Sequence, residues 1–200
     1  MVIEGPDGAG KTTHIRLLAR ALTRLGLCTL VVREPGGTTA GEAIRRILLS
    51  GDQQRLTPLA EAFLFQAARA QLVRQVIRPA LARGTWVLTD RYWLSTLIYQ
   101  GYAGGVSPSF IRQLSRLATG GLEPDLYVVL WVPRRLGLAR RRRRQTDRME
   151  AKGRRFLEAV GRAYRRLALA SRGRIKLLDS RGPVAQVHAR IRSCVERLLP

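Results

Sequence analysis

The sequence contains very little of several residue types that mark particular classes of protein. Only two cysteines and two histidines occur in 200 residues, and Cys28 and Cys194 lie far apart, with no Cys-x-x-Cys or Cys/His spacing. This excludes a disulfide scaffold and a zinc site of ordinary spacing, and we expect two reduced thiols in a cytoplasmic protein. Since no apolar run approaches the roughly 18 residues that a membrane span requires, we predict no membrane segment.

Acidic residues and lysine are also scarce. The chain has 36 Lys+Arg against 14 Asp+Glu, a net charge of +22, and only Lys11, Lys152 and Lys176 are lysines. Such an excess predicts attraction to polyanions, including non-specific attraction to nucleic acids. Because the basic residues are spread along the whole chain, we favour ordinary use of arginine on the surface over a dedicated nucleic-acid role.

Short apolar runs alternate with segments of helical spacing along the chain. Five such runs separated by helices predict a single α/β domain over residues 1–200, in which a five-stranded parallel sheet is flanked by helices in three layers. We predict a long helix over 57–82 and another over 137–170, interrupted by a basic run. Right-handed crossovers bring the carboxyl ends of parallel strands to one edge, where we expect a ligand.

A glycine-rich stretch, GPDGAGKTT, directly follows the first predicted strand. It matches G-x-x-x-x-G-K-[ST] between a strand and a helix, which predicts a loop whose backbone N–H groups hold the phosphates of a nucleoside triphosphate. Lys11 would reach the β- and γ-phosphates as a point charge, and the Thr12 hydroxyl would bind Mg²⁺. The motif does not identify the phosphate acceptor. The predicted nucleotide-binding residues of the loop are Gly5, Pro6, Asp7, Gly8, Ala9, Gly10, Lys11, Thr12 and Thr13.

A second candidate site is DRYWLS, residues 90–95, which follows the predicted strand WVLTD. Asp90 ends that strand, so its carboxylate would lie near the phosphate loop and could bind Mg²⁺ directly or through water. Arg91 would suit a second phosphate group. The same letters alone are equally typical of an aspartate that caps a helix beside a surface arginine.

Two further stretches have ordinary structural explanations when taken singly. REPGGT follows a strand and reads as a rigid turn. In FLFQAAR, Phe65 and Arg69 are four residues apart and therefore share one helix face. An aromatic ring beside a guanidinium could bind a nucleobase, but a core phenylalanine with an arginine that reaches solvent gives the same pattern.

Taken in order, these stretches resemble the thymidylate kinase family over residues 2–199. The resemblance is carried by IEGPDGAGKTT, REPGGT, FLFQAARAQLV, IRPALARGTWVLTDRYWLST and YQG. It implies a P-loop NTPase fold with a short helical lid, and phosphorylation of dTMP to dTDP with ATP and Mg²⁺ in dTTP biosynthesis. It also implies a homodimer.

The resemblance further implies roles for residues that spacing alone does not assign. Phe65 would stack on thymine, Arg69 would hydrogen-bond the base edge, and Tyr99 would pack under the sugar. Arg45 and Arg91 would hold the acceptor phosphate. The implied acceptor-binding residues are Glu34, Arg45, Phe65, Arg69, Arg91, Ser95, Thr96, Tyr99 and Gln100, and the implied metal ligands are Thr12 and Asp90.

The basic run GLARRRRRQTDRME falls where the family has its mobile lid, about 137–150. Some family members carry a catalytic arginine in the phosphate loop, but this chain has Gly8 at that place. The resemblance therefore implies that the lid supplies the arginine that stabilises the transferring phosphoryl group. Arg140 would pack near adenine. The implied catalytic residues are Asp7, Lys11, Arg91, Arg144 and Arg148.

Two alternatives remain open at this point. One is a related kinase with another acceptor, such as dUMP, another nucleotide or a nucleoside, because a hydrophobic pocket discriminates one methyl group by only about 1–3 kcal/mol. The other is a non-catalytic protein that retains the fold and binds polyanions.

Overall fold

The fold is built on one parallel sheet, seen in a computed structural model that describes residues 1–49, 56–140 and 148–199. The strands are β1 (Val2–Glu4), β2 (Thr29–Arg33), β3 (Trp86–Asp90), β4 (Tyr127–Trp131) and β5 (Ile175–Asp179). All their pairings are parallel, and their order is β2-β3-β1-β4-β5. The predicted five-stranded parallel α/β architecture is therefore confirmed. Since β1 is central and β2 and β5 lie at opposite edges, loops after these strands are spread along one edge of the sheet.

Helices cover both faces of the sheet. The α-helices are α1 (Lys11–Arg24), α2 (Thr39–Leu49), α3 (Pro58–Leu72), α4 (Arg78–Ala82), α5 (Trp93–Thr96), α6 (Pro108–Thr119), α7 (Arg134–Arg140), α8 (Arg154–Ala170) and α9 (Val184–Val195). A π-helical segment, Val73–Ile77, joins α3 to α4, so the long helix predicted over 57–82 is observed with a local change of winding. A second π-helical segment, Leu97–Tyr102, extends α5.

The core consists of two apolar clusters that the sheet separates. Successive strand residues enter different clusters: Val2 belongs to one and Ile3 to the other, because side chains alternate across a strand. The cluster on the Val2 side contains Leu72 of α3 and Ile111 of α6. The cluster on the Ile3 side contains Leu18 of α1 and also residues of α9. The sheet is thus buried on both faces, as parallel sheets usually are.

The lid region is described in part. Its helix α7 begins at Arg134, just after Pro133, and therefore three residues earlier than the predicted start at 137. Residues 141–147 lie outside the described part of the chain. After them come a short 3-10 turn, Glu150–Lys152, and α8, which starts beyond Gly153 at a positive φ of 93°. Within the described residues, no helix is long and apolar enough to cross a membrane.

Candidate active site

A cleft of about 1720 Å³ lies at the carboxyl edge of the sheet. Its walls come from the loops that follow β1, β2, β3 and β5, together with α2, α3 and the π-helical segment Leu97–Tyr102. The predicted site residues that line it are Asp7, Gly8, Gly10, Lys11, Thr12, Thr13, Glu34, Arg45, Phe65, Asp90, Arg91, Ser95, Thr96, Tyr99, Gln100 and Arg140. The fold therefore gathers residues that are as much as 133 positions apart in the chain into one site.

The glycine loop between β1 and α1 has the curled backbone that its sequence predicts. Gly8 and Gly10 adopt φ values of 77° and 90°, which L side chains rarely adopt. Gly5 passes so close to β4 that a Cβ atom on it would lie 2.2 Å from the carbonyl oxygen of Leu130. Ala9 is buried beneath the loop. These constraints fix the loop on top of the sheet, with the first N–H groups of α1 beside it.

Lys11 is folded back over this loop. Its ammonium donates to the carbonyl oxygens of Gly5 and Pro6 at 3.0 and 3.1 Å and lies 3.4 Å from Asp7 Oδ1. Burial, together with the nearby charge of Arg91, lowers the pKa of Lys11 from its usual value. The loop therefore holds its single lysine at the cleft in a partly desolvated setting.

Thr12 and Asp90 meet at the start of α1. The Thr12 hydroxyl donates to Asp90 Oδ2 at 2.9 Å, which brings together the two residues predicted as metal ligands. The contact joins the phosphate loop to the end of β3, as expected if the carboxyl ends of neighbouring strands share an edge.

Arg91 links β3 to the same loop. It has a positive φ of 72°, which is uncommon for a residue with a Cβ atom and is typical of functional sites. Its guanidinium donates to Asp7 Oδ1 at 2.8 Å and to Ser95 Oγ at 3.1 Å, and it lies 5.4 Å from the centre of the Tyr99 ring. Arg91 and Asp7 are therefore held against each other at the cleft.

Glu4 organises the turn after β3 that contains Arg91, a role that the sequence analysis did not predict. Its buried carboxylate accepts from the backbone N–H groups of Tyr92 and Ser95 at 2.9 and 3.2 Å. It also accepts from the hydroxyls of Ser95 and Tyr164 at 2.6 and 2.8 Å. Glu4 thus fixes the turn that carries Arg91 into the cleft. The available signal was a carboxylate at the end of an otherwise apolar central strand.

Arg69 lies at the bottom of the acceptor side, and only 1% of its surface is exposed. Its guanidinium donates to Glu34 Oε2 and Gln66 Oε1, both at 2.6 Å, and to Thr96 Oγ1 at 3.2 Å. Burial raises the pKa of Glu34 to about 7, although the Arg69 charge opposes this. Arg69 is absent from the described lining of the cleft, which it borders through Glu34 and Thr96. Its guanidinium therefore also serves the fold.

The side of the cleft towards β2 carries the other predicted acceptor residues. Arg45 of α2 donates to the carbonyl oxygen of Pro35 at 2.8 Å. Phe65 of α3 is half-buried, and Tyr99 and Gln100 are buried residues of the π-helical segment. A π-helical winding shifts the side chains out of α-helical register, so it decides which of them face the cleft.

The side towards β5 contains Arg140 and a histidine that the sequence analysis missed. Arg140 donates to the carbonyl oxygens of Ser180 and Arg181 at 2.9 and 3.2 Å and so joins α7 to the loop after β5. His14 of α1 lines the cleft here and stacks on His188 at 6.3 Å. Desolvation, His188 and Arg140 lower the pKa of His14 to about 4.

Of the two lid arginines predicted to contact phosphate, only Arg148 lies in the described part of the chain. Arg144 lies outside the described residues. Arg148 donates to Glu61 Oε1 at 3.1 Å and to the carbonyl oxygen of Leu48 at 3.2 Å, and it is absent from the described lining of the cleft. Its neighbour Met149 is buried and does line the cleft, although the sequence analysis did not single it out.

The position of the glycine loop, between the central strand and the first helix of a parallel sheet, is the arrangement in which P-loop proteins bind nucleoside triphosphates. The chain is a protein of this class. Comparisons with known proteins narrow the class further. The family model described as thymidylate kinase matches residues 3–191.

Curated relatives and a solved structure agree with that match. Thymidylate kinase of Symbiobacterium thermophilum is 42% identical over 197 residues, which cover 98% of this chain and 92% of the relative. Thymidylate kinase of a Synechococcus strain, JA-3-3Ab, is 48% identical over 200 residues, which cover 100% and 96%. The crystal structure of thymidylate kinase from Ehrlichia chaffeensis is similar with a TM-score of 0.78 and 29% identity, covering 98% of this chain and 96% of that one. The chain belongs to the thymidylate kinase family.

Proposed function

We propose that this chain transfers the γ-phosphoryl group of ATP to dTMP, forming ADP and dTDP for dTTP biosynthesis. One observation carries the proposal: a single cleft is lined both by the phosphate loop with Lys11 and by the acceptor-side residues Phe65, Tyr99 and Gln100. Two nucleotides bound in such a cleft would have their phosphates close to the same loop. Membership in the thymidylate kinase family supports the identity of both substrates.

On the donor side, we propose that the loop N–H groups and Lys11 hold the ATP phosphates. The carbonyl oxygens that Lys11 now contacts are weaker partners than a phosphate, so its ammonium is available for the nucleotide. Arg140 would lie beside the adenine, since it lines the cleft and holds the loop after β5.

On the acceptor side, we propose that Arg45 and Arg91 hold the dTMP phosphate. Phe65 would stack on the thymine ring, and Tyr99, which is packed against the Arg91 guanidinium, would lie under the sugar. Asp7, which accepts a hydrogen bond from Arg91 at 2.8 Å, would lie near the sugar 3′-hydroxyl.

The residues at the start of α1 fit a magnesium ion. Thr12 Oγ1 and Asp90 Oδ2 are adjacent oxygen atoms that could both bind the metal ion. In phosphoryl-transfer sites, Mg²⁺ usually binds one or two carboxylates, and phosphate oxygens and water complete its coordination shell. When bound, the ion would neutralise phosphate charge.

The reaction we propose is an in-line transfer in which one oxygen of the dTMP phosphate attacks the γ-phosphorus and ADP leaves. The protein does no covalent chemistry, and its contribution is positioning and charge neutralisation. Lys11 would stabilise the charge that develops on the moving phosphoryl group. Arg144, Arg148 or both would add a guanidinium from the lid.

The decisive experiment is ADP release measured over a panel of monophosphate acceptors that includes dTMP, dUMP, dCMP and dGMP. We expect turnover to be fastest with dTMP. Lys11→Ala should retain the circular dichroism spectrum and lose turnover by about a hundredfold or more, because no other described lysine lines the cleft. If the wild-type protein releases no ADP with any acceptor, the kinase function is refuted and the non-catalytic, polyanion-binding alternative is favoured. A faster reaction with dUMP would make it the physiological acceptor.

We also propose that the chain forms a homodimer through α3 and α6. Phe63 of α3 and Phe110 of α6 meet edge to face at 6.1 Å, yet 48% and 37% of their surfaces are exposed. Leu59 and Leu117 extend this apolar face along the two helices. Contiguous exposed apolar side chains of this kind usually mark an interface.

A further inference from the structure

Glu61 is a buried carboxylate on α3 that sequence analysis did not single out, and only 1% of its surface is exposed. Its two oxygens accept three hydrogen bonds from side chains in the described part of the chain. Arg148 donates to Oε1 at 3.1 Å, Lys152 donates to Oε2 at 2.5 Å, and the side-chain amide of Gln100 donates to Oε2 at 3.0 Å. Arg148 and Lys152 supply the positive charge that a buried carboxylate needs.

The contact with Glu61 determines which way the Gln100 amide faces. An ionised carboxylate only accepts hydrogen bonds, so the NH₂ group of Gln100 must point towards it. The carbonyl oxygen of Gln100 is consequently directed elsewhere. Glu61 therefore sets the orientation of an amide whose two ends are otherwise nearly interchangeable in shape.

The freed oxygen needs a donor that the described protein does not provide. Gln100 Oε1 is buried and has no hydrogen-bond partner among the described residues, and Gln100 lines the cleft together with Phe65 and Met149. Met149 Sδ lies 3.7 Å from the amide nitrogen of Gln100, and a flexible methionine can shift to let a flat ring approach. Since buried polar atoms are normally paired, a ring N–H in the cleft is a fitting partner.

We propose that Glu61 is a positioning residue for base selection: by holding the Gln100 amide, it presents an acceptor to the ring and so favours pyrimidines that carry N3–H. Thymine and uracil have this donor. Cytosine has a lone pair at N3, which would face the Gln100 oxygen without a hydrogen bond. The proposal rests on the proposed function, because it concerns the acceptor of that reaction.

The same contacts tie base selection to the end of the lid and to the chain just after it. Arg148 and Lys152 lie on either side of Met149, and both are held by Glu61. The segment that returns from the lid is thus fixed by the carboxylate that orients Gln100. Because Gln100 lies on the acceptor side of the cleft, changes at Glu61 should alter selectivity between bases more than they alter affinity for ATP.

The test compares kcat/KM for dTMP, dUMP and dCMP in wild type, Glu61→Gln and Glu61→Met. A glutamine at 61 can accept from or donate to Gln100, and a methionine offers only a weakly accepting sulfur, so in both variants the amide is free to turn its NH₂ group to cytosine. We expect the dTMP/dCMP ratio to fall about tenfold, the effect of one discriminating hydrogen bond. The dTMP/dUMP ratio should stay unchanged, because both bases carry N3–H.

Lys152→Met is the matched control. It removes a partner of Glu61 and leaves the contact with Gln100, so both ratios should stay as in wild type. A purely structural role for Glu61 would lower all three rates together and leave the ratios unchanged, which would overturn the proposal. If both Glu61 variants fail to fold, the wild-type protein provides the test. Its kcat/KM must be higher for dUMP than for dCMP, and equal values would refute the proposal. Wild type that is inactive with dTMP would instead refute the proposed function.

Discussion

At the scale of single residues, the site depends on a few buried charges whose partners come from distant parts of the chain. Glu4 and Glu34 are both buried, and each is held by donors from other elements. Removing one partner of such a group leaves a desolvated charge, which costs far more than the contact itself contributes. Substitutions here should therefore affect stability and catalysis together.

Arg69→Ala illustrates this double effect. The change leaves Glu34, Gln66 and Thr96 without their shared donor, so we expect the free energy of unfolding to fall by about 3–5 kcal/mol. In the fraction that folds, KM for dTMP should rise more than KM for ATP. Urea denaturation and steady-state kinetics measure the two effects. Arg69→Lys is the control, since it keeps the charge and loses the planar fork. Unchanged stability of the alanine variant would contradict the structure.

His14 gives the protein a predictable response to acid. Its pKa of about 4 in the folded state lies below the ordinary value of 6.5, so between these values the unfolded chain binds a proton that the folded chain does not. Stability from this group is therefore complete above pH 6.5 and is lost as the pH falls towards 4. Urea midpoints across this window should decline less steeply in His14→Gln than in wild type. Parallel curves would mean that His14 is not desolvated in the folded protein.

At the scale of elements, the phosphate loop and α7 touch through their backbones. A Cβ atom on Gly8 would lie 2.2 Å from the carbonyl oxygen of Gly137, and one on Gly137 would lie 2.8 Å from the carbonyl oxygen of Asp7. Both are contacts with main chain, which cannot rotate away as a side chain can. The first helix of the lid is thus seated directly on the loop.

Gly8→Ala should disturb the backbone contact between the phosphate loop and α7. Any residue with a Cβ atom is strained at φ 77°, and the methyl group must also displace α7. Gly26→Ala is a matched control, because Gly26 has φ 80° with nothing within 4 Å of the added atom. We expect Gly26→Ala to cost about 1–2 kcal/mol of stability and to leave KM for ATP unchanged. Gly8→Ala should cost more and raise KM for ATP. Equal effects of the two changes would show that the contact with α7 is unimportant.

Much of the fold and part of the site could be predicted from sequence because their signals are local. The strands are short apolar runs, and GPDGAGKTT is a contiguous motif whose geometry follows from its glycines. The contacts of Glu61 could not be predicted, since its partners Arg148 and Lys152 are 87 and 91 positions away. Nor could the π-helical segment Leu97–Tyr102, because a helical period does not reveal where the winding widens.

At the scale of the whole molecule, the exposed apolar face on α3 and α6 contrasts with a surface that is otherwise strongly basic. The net charge of +22 opposes self-association over long distances, so a stable dimer needs a contact area with few charges. Phe63 and Phe110 lie at the centre of the area that we assign to this contact.

Phe63→Glu should therefore convert the proposed dimer to a monomer. The new carboxylate would be buried against the partner without a counter-charge, which costs more than the interface gains from a single aromatic ring. Light scattering coupled to size-exclusion chromatography measures the mass. Leu169→Glu on α8 is the control, because Leu169 is also exposed but lies on another helix. A wild-type protein with the mass of a monomer would refute the proposed dimer. A Phe63→Glu variant that remains a dimer would show that α3 and α6 do not form the interface.

The strand order has a consequence for how this enzyme could change over time. The phosphate loop follows the central strand β1. Phe65, which we assign to thymine, lies on α3 between β2 and β3, whereas Arg140, which we assign to adenine, lies on α7 after β4 and contacts the loop after β5. Substitutions on the acceptor side of the cleft therefore need not alter the adenine side. A descendant could thus acquire a new acceptor by substitutions around α2 and α3 while it kept its use of ATP, and the two recognition problems could be solved by selection one at a time.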